Sequence, residues 1–430
     1  MRPLTTTTRR SLAVACLATV LVAVGACGST DGGAVATSAT GVSTAGSTTV
    51  PATATSSTVP RATTSTTPPT TPPTVAPTTT GATDAVDPTD GRLAAMLRTE
   101  LAGHADDPLV GAVVGIQVPG DEPVVVAAGH QSIEVGAAAV DASIPWAIGS
   151  VTKTFVAVVV LQLVDEGELA LDDPIGPLLE GTGVEIADAD TITVRQLLQH
   201  TSGLAEYIDE PAVTSQGDRV WSPAELVAVA EAHGRIDAPG GGHHYANTNY
   251  VVLGEIVRHV TGHTWDDEVR RRIVEPLGLD STGLIGDERS PGYAVVDGRP
   301  VEVVGAGDPS VGGAAGAMQS TVADLLVYVG ALRDGTLVSP EMREAMLQMV
   351  EVGDLTDLGV EHSYGLGIER YAIGGVEVIG HLGVATPAGQ SAFIGWDPAT
   401  GTLIAVQLNI GVGGPQAFIA IEALTAARSL

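Results

Sequence analysis

Lysine is almost absent from this chain: among 430 residues only position 153 carries one, and every other basic side chain is arginine. Where positive charge alone is needed, this composition supplies arginine. The surviving Lys153 therefore marks a place where a guanidinium will not serve, because an ammonium can lose its proton when desolvated and a guanidinium cannot. Cysteine is nearly missing too, with only Cys16 and Cys27. Cys16 falls in a segment expected to be removed, which excludes a disulfide within one mature chain. After the leader, no apolar run reaches the ~18 charge-free residues needed to cross a bilayer. Basic charge is scarce as well. The formal net charge is −30, and the four Arg and four Asp of residues 1–90 cancel, so the excess lies in 91–430. Such an acidic surface repels nucleic acid and other polyanions. Acidity with so little lysine also fits life in high salt, a matter of solubility rather than chemistry.

What is present begins with an export leader. Arg2, Arg9 and Arg10 precede an apolar run over 11–23, followed by Val24, Gly25, Ala26 and Cys27. Small residues ending at a cysteine form a lipobox, which implies cleavage before Cys27 and a lipid on its thiol. An ordinary signal peptide is the alternative, and Arg9-Arg10 also admits a twin-arginine signal, although Ser-Leu-Ala after it matches poorly. Residues 28–90 are dominated by Thr, Ser, Ala and Pro and lack the bulky apolar residues that offset chain entropy. They read as a disordered tether that reaches on the order of 190 Å if fully extended at ~3.1 Å per residue. The expected organisation is thus a leader (1–27), a tether (28–90) and a folded domain (91–430), anchored to a membrane through Cys27 and not spanning it. The size of the last part predicts two subdomains in one folding unit.

Within 91–430 the patterning predicts a helix over 93–101, a hairpin of strands over 109–118 and 123–128, and a helix over 150–166 that is apolar on nearly all sides and so lies buried. Ser150 opens that helix. Further helices are expected at 193–199, 223–232, 250–260 and 265–274. Thr321 to Asp324 reads as a capping box before a helix over 325–332. Strands follow at 365–372, 376–380, 391–396 and 403–409, then a closing helix from Gln416. Strands at both ends with helices between make the fold class α+β.

Three motifs carry chemistry. Ser150 and Lys153 are one helical turn apart, so hydroxyl and amine can meet, and a serine at a helix N-terminus sits in the positive end of the dipole. Tyr245 and Asn247 follow the Gly-rich stretch Gly240-Gly241-Gly242; a tyrosine beside a cationic lysine loses its proton more easily and can shuttle protons. His381, Leu382 and Gly383 lie at the edge of a predicted strand, where the glycine permits close approach of substrate and the next amide, Val384, can donate to an oxyanion.

With these motifs, Leu197-Leu198-Gln199-His200-Thr201-Ser202-Gly203-Leu204 and Gly316 through Leu325, the chain resembles the serine β-lactamase and penicillin-recognising enzyme family. Within it, the likeness is to the branch of class C β-lactamases, D-alanyl-D-alanine carboxypeptidases and esterases. The resemblance covers roughly 90–430. It implies a β-lactamase/transpeptidase-like fold, with an antiparallel sheet flanked by N- and C-terminal helices and a mostly helical subdomain. It also implies an acyl-enzyme on Ser150, proton transfer through Lys153 and Tyr245, and an oxyanion between the amides of Ser150 and Val384. Asn247 would orient Lys153 and bind the acyl side chain of a small-molecule or peptidoglycan-peptide substrate, with His381, Leu382 and Gly383 lining the substrate. The chain would act as a monomer without cofactor or metal. Leu382 departs from the threonine often found there and offers no hydrogen bond to a substrate carboxylate, which adds weight to a neutral ester, amide or lactone.

Other chemistries fail on residues. The lysine lacks a P-loop context, Ser150 lacks a nucleophile-elbow glycine, and His259 and His263 flank Gly262 without a neighbouring glutamate, which argues for a helix end over a zinc site. His200 reads as structural, bonding loop backbone. A lipoprotein that binds penicillin or peptidoglycan without turnover is the non-enzymatic alternative.

Overall fold

The computed structural model describes residues 91, 110–216, 219–286, 290–296, 299–303, 307–353 and 360–428. The leader with Cys27, the tether and the helix expected over 93–101 lie outside the described residues.

An antiparallel sheet organises the molecule. Its strands are β1 (Gly111–Gln117), β2 (Val124–Gly129), β8 (Val350–Glu351), β9 (Val360–Tyr364), β10 (Glu369–Ile373), β11 (Val376–Ala385), β12 (Gln390–Trp396) and β13 (Leu403–Leu408), in the spatial order β2-β1-β13-β12-β11-β10-β9-β8. Short pairings of β3 (Trp146–Ala147) and β4 (Gly283–Leu284) with β7 (Met318–Ser320), and a hairpin of β5 (Tyr293–Val296) and β6 (Arg299–Glu302), complete the strands. The first hairpin forms where the sequence predicts it. The strand expected over 365–372 does not: a turn at 365–368 divides β9 from β10, and the glycines there admit it, Gly367 at φ +76.

Period-two alternation sends side chains of the sheet into two cores. Val113, Ala392, Ile394 and Ala405 face the larger one, which holds the central helix; Ala112, Val114, Val378, Phe393 and Val406 face the smaller one under the C-terminal helix. The central helix, α1 (Thr152–Asp165), buries Phe155 through Leu161 completely or nearly so. At roughly 1.5–3 kcal/mol for each large apolar side chain removed from water, this helix is held by burial on all sides.

Around α1 stand α2 (Val194–Leu198), α3 (Pro223–Glu231), α4 (Asn247–Thr261), α5 (Trp265–Val269, continuing into a π-turn at Arg270–Val274), α6 (Val322–Asp334), α7 (Pro340–Met346) and α8 (Pro415–Ala427). Thr193 with Gln196 and Ser222 with Glu225 form reciprocal capping boxes at α2 and α3. At α6 Thr321 accepts from the amide of Asp324, but the Asp324 carboxylate also accepts from the Ser281 amide and the Thr282 hydroxyl. The expected box therefore forms only in its Thr321 half, and the Asp324 carboxylate serves as a tertiary tie. No helix among the described residues is long and apolar enough to cross a membrane.

Candidate active site

Ser150 lies in a 3-10 turn, Gly149–Val151, two residues ahead of α1 rather than as its first residue. Turn and helix are continuous, so the expected juxtaposition survives: Lys153 Nζ lies 3.0 Å from Ser150 Oγ. Lys153 is wholly buried, and its nitrogen also donates to Asn247 Oδ1 at 2.7 Å and to the carbonyl of Ala315 at 2.8 Å. Those two oxygens can only accept. A neutral amine has two N–H bonds and one lone pair. With both N–H groups engaged by Asn247 and Ala315, the lone pair is left facing the serine hydroxyl. Burial lowers the amine from its ordinary 10.5 to about 7, against the charges of Glu206 and Glu369, which favour the ammonium.

Asn247 is the first residue of α4, a helix that starts three residues earlier than its apolar pattern suggests. Glu206 sets its orientation, accepting from the Asn247 backbone amide at 2.6 Å and from Nδ2 at 2.9 Å. A carboxylate is well placed at a helix N-terminus, where amides lack intrahelical partners. The other Glu206 oxygen takes the amides of Tyr207 and Ile208. Burial nevertheless raises its pKa, with those amide bonds and Lys153 acting in the opposite sense.

Tyr245 is held from both sides by His200. The carbonyl of His200 accepts from His244 N at 2.8 Å, His200 Nδ1 accepts from Ala246 N at 3.2 Å, and the two rings lie 4.2 Å apart. His200 therefore does bond loop backbone, as its place in the sequence suggests, and it does so in the left-handed region at φ +57, a strained conformation for a non-glycine residue. Tyr245 is hydrogen-bonded to Ser150, and Lys153 Nζ lies 4.9 Å from its ring centroid. The expectation that the lysine eases loss of the phenolic proton is reversed. Burial pushes the phenol well above 10 despite the Ser150 bond, and Glu369, Tyr250 and Glu206 add to the rise. At neutral pH Tyr245 is a protonated phenol.

The third motif lies within β11, not at its end. β10 pairs with β11 only from Glu369↔Gly380 to Ile373↔Val376, whereas β12 pairs from Ile379 through Ala385. Among the described residues, the 382–385 stretch has a strand on one side only. That free edge meets the nucleophile's turn: a Cβ on Gly149 would stand 2.7 Å from Val384 N, and Gly149 has φ +50. Gly383 is needed for packing rather than for substrate approach, since its Cβ would lie 2.0 Å from the Ile148 carbonyl oxygen.

Two assignments from the sequence are corrected by strand alternation. The Leu382 side chain belongs to the smaller core with Val378 and Phe393, on the face covered by α8, so only its backbone borders the site. His381 is 1% exposed, and its Nε2 pairs with the Tyr364 hydroxyl at 2.9 Å while Nδ1 meets the Leu382 carbonyl at 2.6 Å. It lies behind the site, not on its surface. Burial lowers its pKa below the ordinary histidine value.

The structure thus brings Ser150, Lys153, Tyr245, Asn247 and the backbone of Gly383 and Val384 together. Cys27 lies outside the described residues. Sequence reasoning missed Glu206, Glu369, Tyr364 and the Ala315 carbonyl. Glu206 could have been noticed as a lone acid between Ala205 and Tyr207, directly after the His200-Thr201-Ser202-Gly203 run; a backbone carbonyl leaves no sequence signal. Among the described residues no group of three or more His, Cys, Asp or Glu is arranged to hold a metal ion.

A buried lysine beside a serine, in a turn and helix packed against an antiparallel sheet, fits a serine hydrolase of α+β architecture. The family described as Beta-lactamase matches residues 93–428, and the chain belongs to it. It is 32% identical over 280 residues to Penicillin-binding protein 4 of Amycolatopsis lactamdurans, covering 61% of this chain and 72% of that one. Among solved structures it is similar to a D-stereospecific amidohydrolase from Streptomyces sp., with TM-score 0.65 and 32% identity, covering 78% of this chain and 97% of that one. A D-amino acid amidase from Ochrobactrum anthropi SV3 aligns with TM-score 0.70 and 26% identity, covering 80% of this chain and all of the amidase (100%).

Proposed function

We propose that the protein hydrolyses amides of D-configured residues through an acyl-enzyme on Ser150. The observation that carries this reading is the contact set at Lys153: its buried nitrogen lies 3.0 Å from Ser150 Oγ while Asn247 Oδ1 and the Ala315 carbonyl take two N–H bonds, so that in the neutral amine the lone pair is the group left for the serine hydroxyl. Lys153 takes the serine proton as Oγ bonds to the substrate carbonyl carbon, and the amides of Ser150 and Val384 receive the oxyanion. Tyr245, protonated and hydrogen-bonded to Ser150, gives its proton to the leaving nitrogen as the C–N bond breaks and is reprotonated from Lys153. Water then retraces the path and releases the acid. An amide leaving group needs a proton donor, which a phenol of raised pKa supplies.

The relatives named a D-stereospecific amidohydrolase, a D-amino acid amidase and a penicillin-binding protein support a D-residue on the acyl side. Leu382, turned into the core, offers no hydroxyl to a terminal carboxylate. A carboxylate on the leaving group is therefore not required, and D-amino acid amides and D-alanyl-D-alanine peptides both fall within the proposed range. Export, a lipid on Cys27, the 28–90 tether and action as a monomer on the outer face of the membrane belong to the same proposal, supported by the leader and the composition alone.

A panel of a D-amino acid amide, its L-enantiomer, a D-alanyl-D-alanine peptide, nitrocefin and a p-nitrophenyl ester tests it. The expected order places the D-amides highest in kcat/KM, with turnover lost in Ser150→Ala. Ester hydrolysis without amide turnover, or stable labelling without release, would contradict it.

A further inference from the structure

At the point where β10 leaves β11, the edge of β11 would be left with an unpaired amide at Leu382. Glu369, the first residue of β10, supplies the acceptor: its Oε2 lies 2.8 Å from Leu382 N, just beyond the last ladder pair at Gly380. The carboxylate is 5% exposed, and its ion-pair partners among the described residues are histidines. His362 of β9 approaches its other oxygen at 3.4 Å, and His381 Nδ1 lies 3.6 Å from Oε2. Its charge is also felt by Tyr371 on its own strand, Tyr364 of β9, Lys153 of α1, Tyr250 of α4, and His243 and Tyr245 in the loop before α4. Burial alone would raise its pKa. The two imidazoles and the Leu382 amide outweigh burial and hold it at about 2, so it is ionised throughout the working range.

We propose that Glu369 is a positioning residue, a side chain that replaces the missing strand partner and fixes the Leu382–Val384 backbone against the turn of Ser150. Two residues separate the Leu382 amide from the Val384 amide, so in an extended strand both point to the same edge. A strand end without a ladder partner frays. Glu369 removes that freedom at the place where an oxyanion donor must be held to within a fraction of an ångström. The burial of a carboxylate at this position, costly in itself, is explained by that demand. The inference rests on the acyl-enzyme reading above.

The test uses the full chain and its Glu369→Gln and Glu369→Ala variants. A fluorophosphonate gives the rate constant of Ser150 phosphonylation per labelled site, and steady-state kinetics on a D-amino acid amide gives kcat and KM. Removing one oxyanion donor costs about 10²- to 10³-fold; for a donor displaced rather than deleted, Glu369→Ala lowers both the labelling rate and kcat by at least about 10-fold, with KM within about twofold. Glu369→Gln keeps an oxygen acceptor for Leu382 N and restores the plateau rate to within about threefold. It also removes a negative charge that favours the Lys153 ammonium, so the acid limb of the rate profile moves to lower pH. Lys153 is otherwise faced by Glu206 from the loop after α2, His200 from the same loop, Tyr245 and Tyr250 around the start of α4, and His381 of β11, all retained in the variant. A purely structural role would lower the melting temperature and leave the rate per labelled site unmoved, which overturns the inference. If the alanine variant fails to fold, Glu369→Asp decides: it keeps the negative charge but draws the carboxylate back from Leu382 N, so the labelling rate falls by at least about threefold with the acid limb in place, and an unchanged labelling rate overturns the inference. Wild-type protein that does not label at Ser150 overturns the acyl-enzyme reading and this inference together.

Discussion

On one face of β11, Gly383 meets the backbone just before the nucleophile's turn and His381 the polar shell behind it; on the other, Val376, Val378 and Leu382 pack in the core under α8. The first face is built at contact distance. Gly383 leaves no room for a methyl group against Ile148, and His381 is tied at both ring nitrogens. The second face is mainly aliphatic, with Gln416 of α8 approaching the Gly383 carbonyl at 3.5 Å. The same ten residues thus carry a region where position is fixed by backbone and hydrogen bonds and a region where volume and hydrophobicity suffice. On this strand the proposed chemistry lies on the first face, while Val376, Val378 and Leu382 of the second pack into the smaller core.

Substitutions along this divide should separate the two roles. The largest effect is expected at Lys153, which lies opposite the polar face: Lys153→Arg retains charge but cannot supply a lone pair, and hydrolysis should fall by about 10²- to 10⁴-fold with the far-ultraviolet circular dichroism unchanged. Full activity would mean that the amine never sheds its proton. Next comes Gly383→Ala, whose methyl group would collide with the Ile148 carbonyl and push the strand edge from the Ser150 turn. Labelling of Ser150 by a fluorophosphonate should drop by more than about 10-fold per folded molecule. The smallest effect on chemistry is expected at Leu382. Leu382→Ala should lower stability by about 2–5 kcal/mol in denaturant unfolding, through the cavity left under α8. Its rate per labelled site should stay within about threefold, and a larger loss would return this side chain to the substrate.

The sequence reading succeeds where a local pattern determines the answer. The apolar run Phe155-Val156-Ala157-Val158-Val159-Val160-Leu161 predicts a buried central helix, which forms as α1, and the motif residues Ser150, Lys153 and Asn247 are brought into contact by the fold. It falters where a residue's partner is far along the chain. Glu206 meets Asn247 and Glu369 meets Leu382 only after the fold has formed, and neither pairing has a spacing rule. The side of β11 on which Leu382 falls depends on register, and a reading that ended the strand at residue 380 could not assign it. The protonation of Tyr245 was misjudged because a nearby cation was weighed and burial was not. Lysine, by contrast, was legible from its rarity.

The central claim is that Lys153 works as a neutral base. Its most direct test is the pH dependence of the single-turnover rate constant for Ser150 acylation in the wild-type chain. A base that must be unprotonated gives a rate that climbs tenfold per pH unit on the acid side, bends at about 7 and is level above it. A rate that is flat from pH 5 to about 8, or one that bends only near the ordinary lysine value of 10.5, would show that the amine is not the proton acceptor.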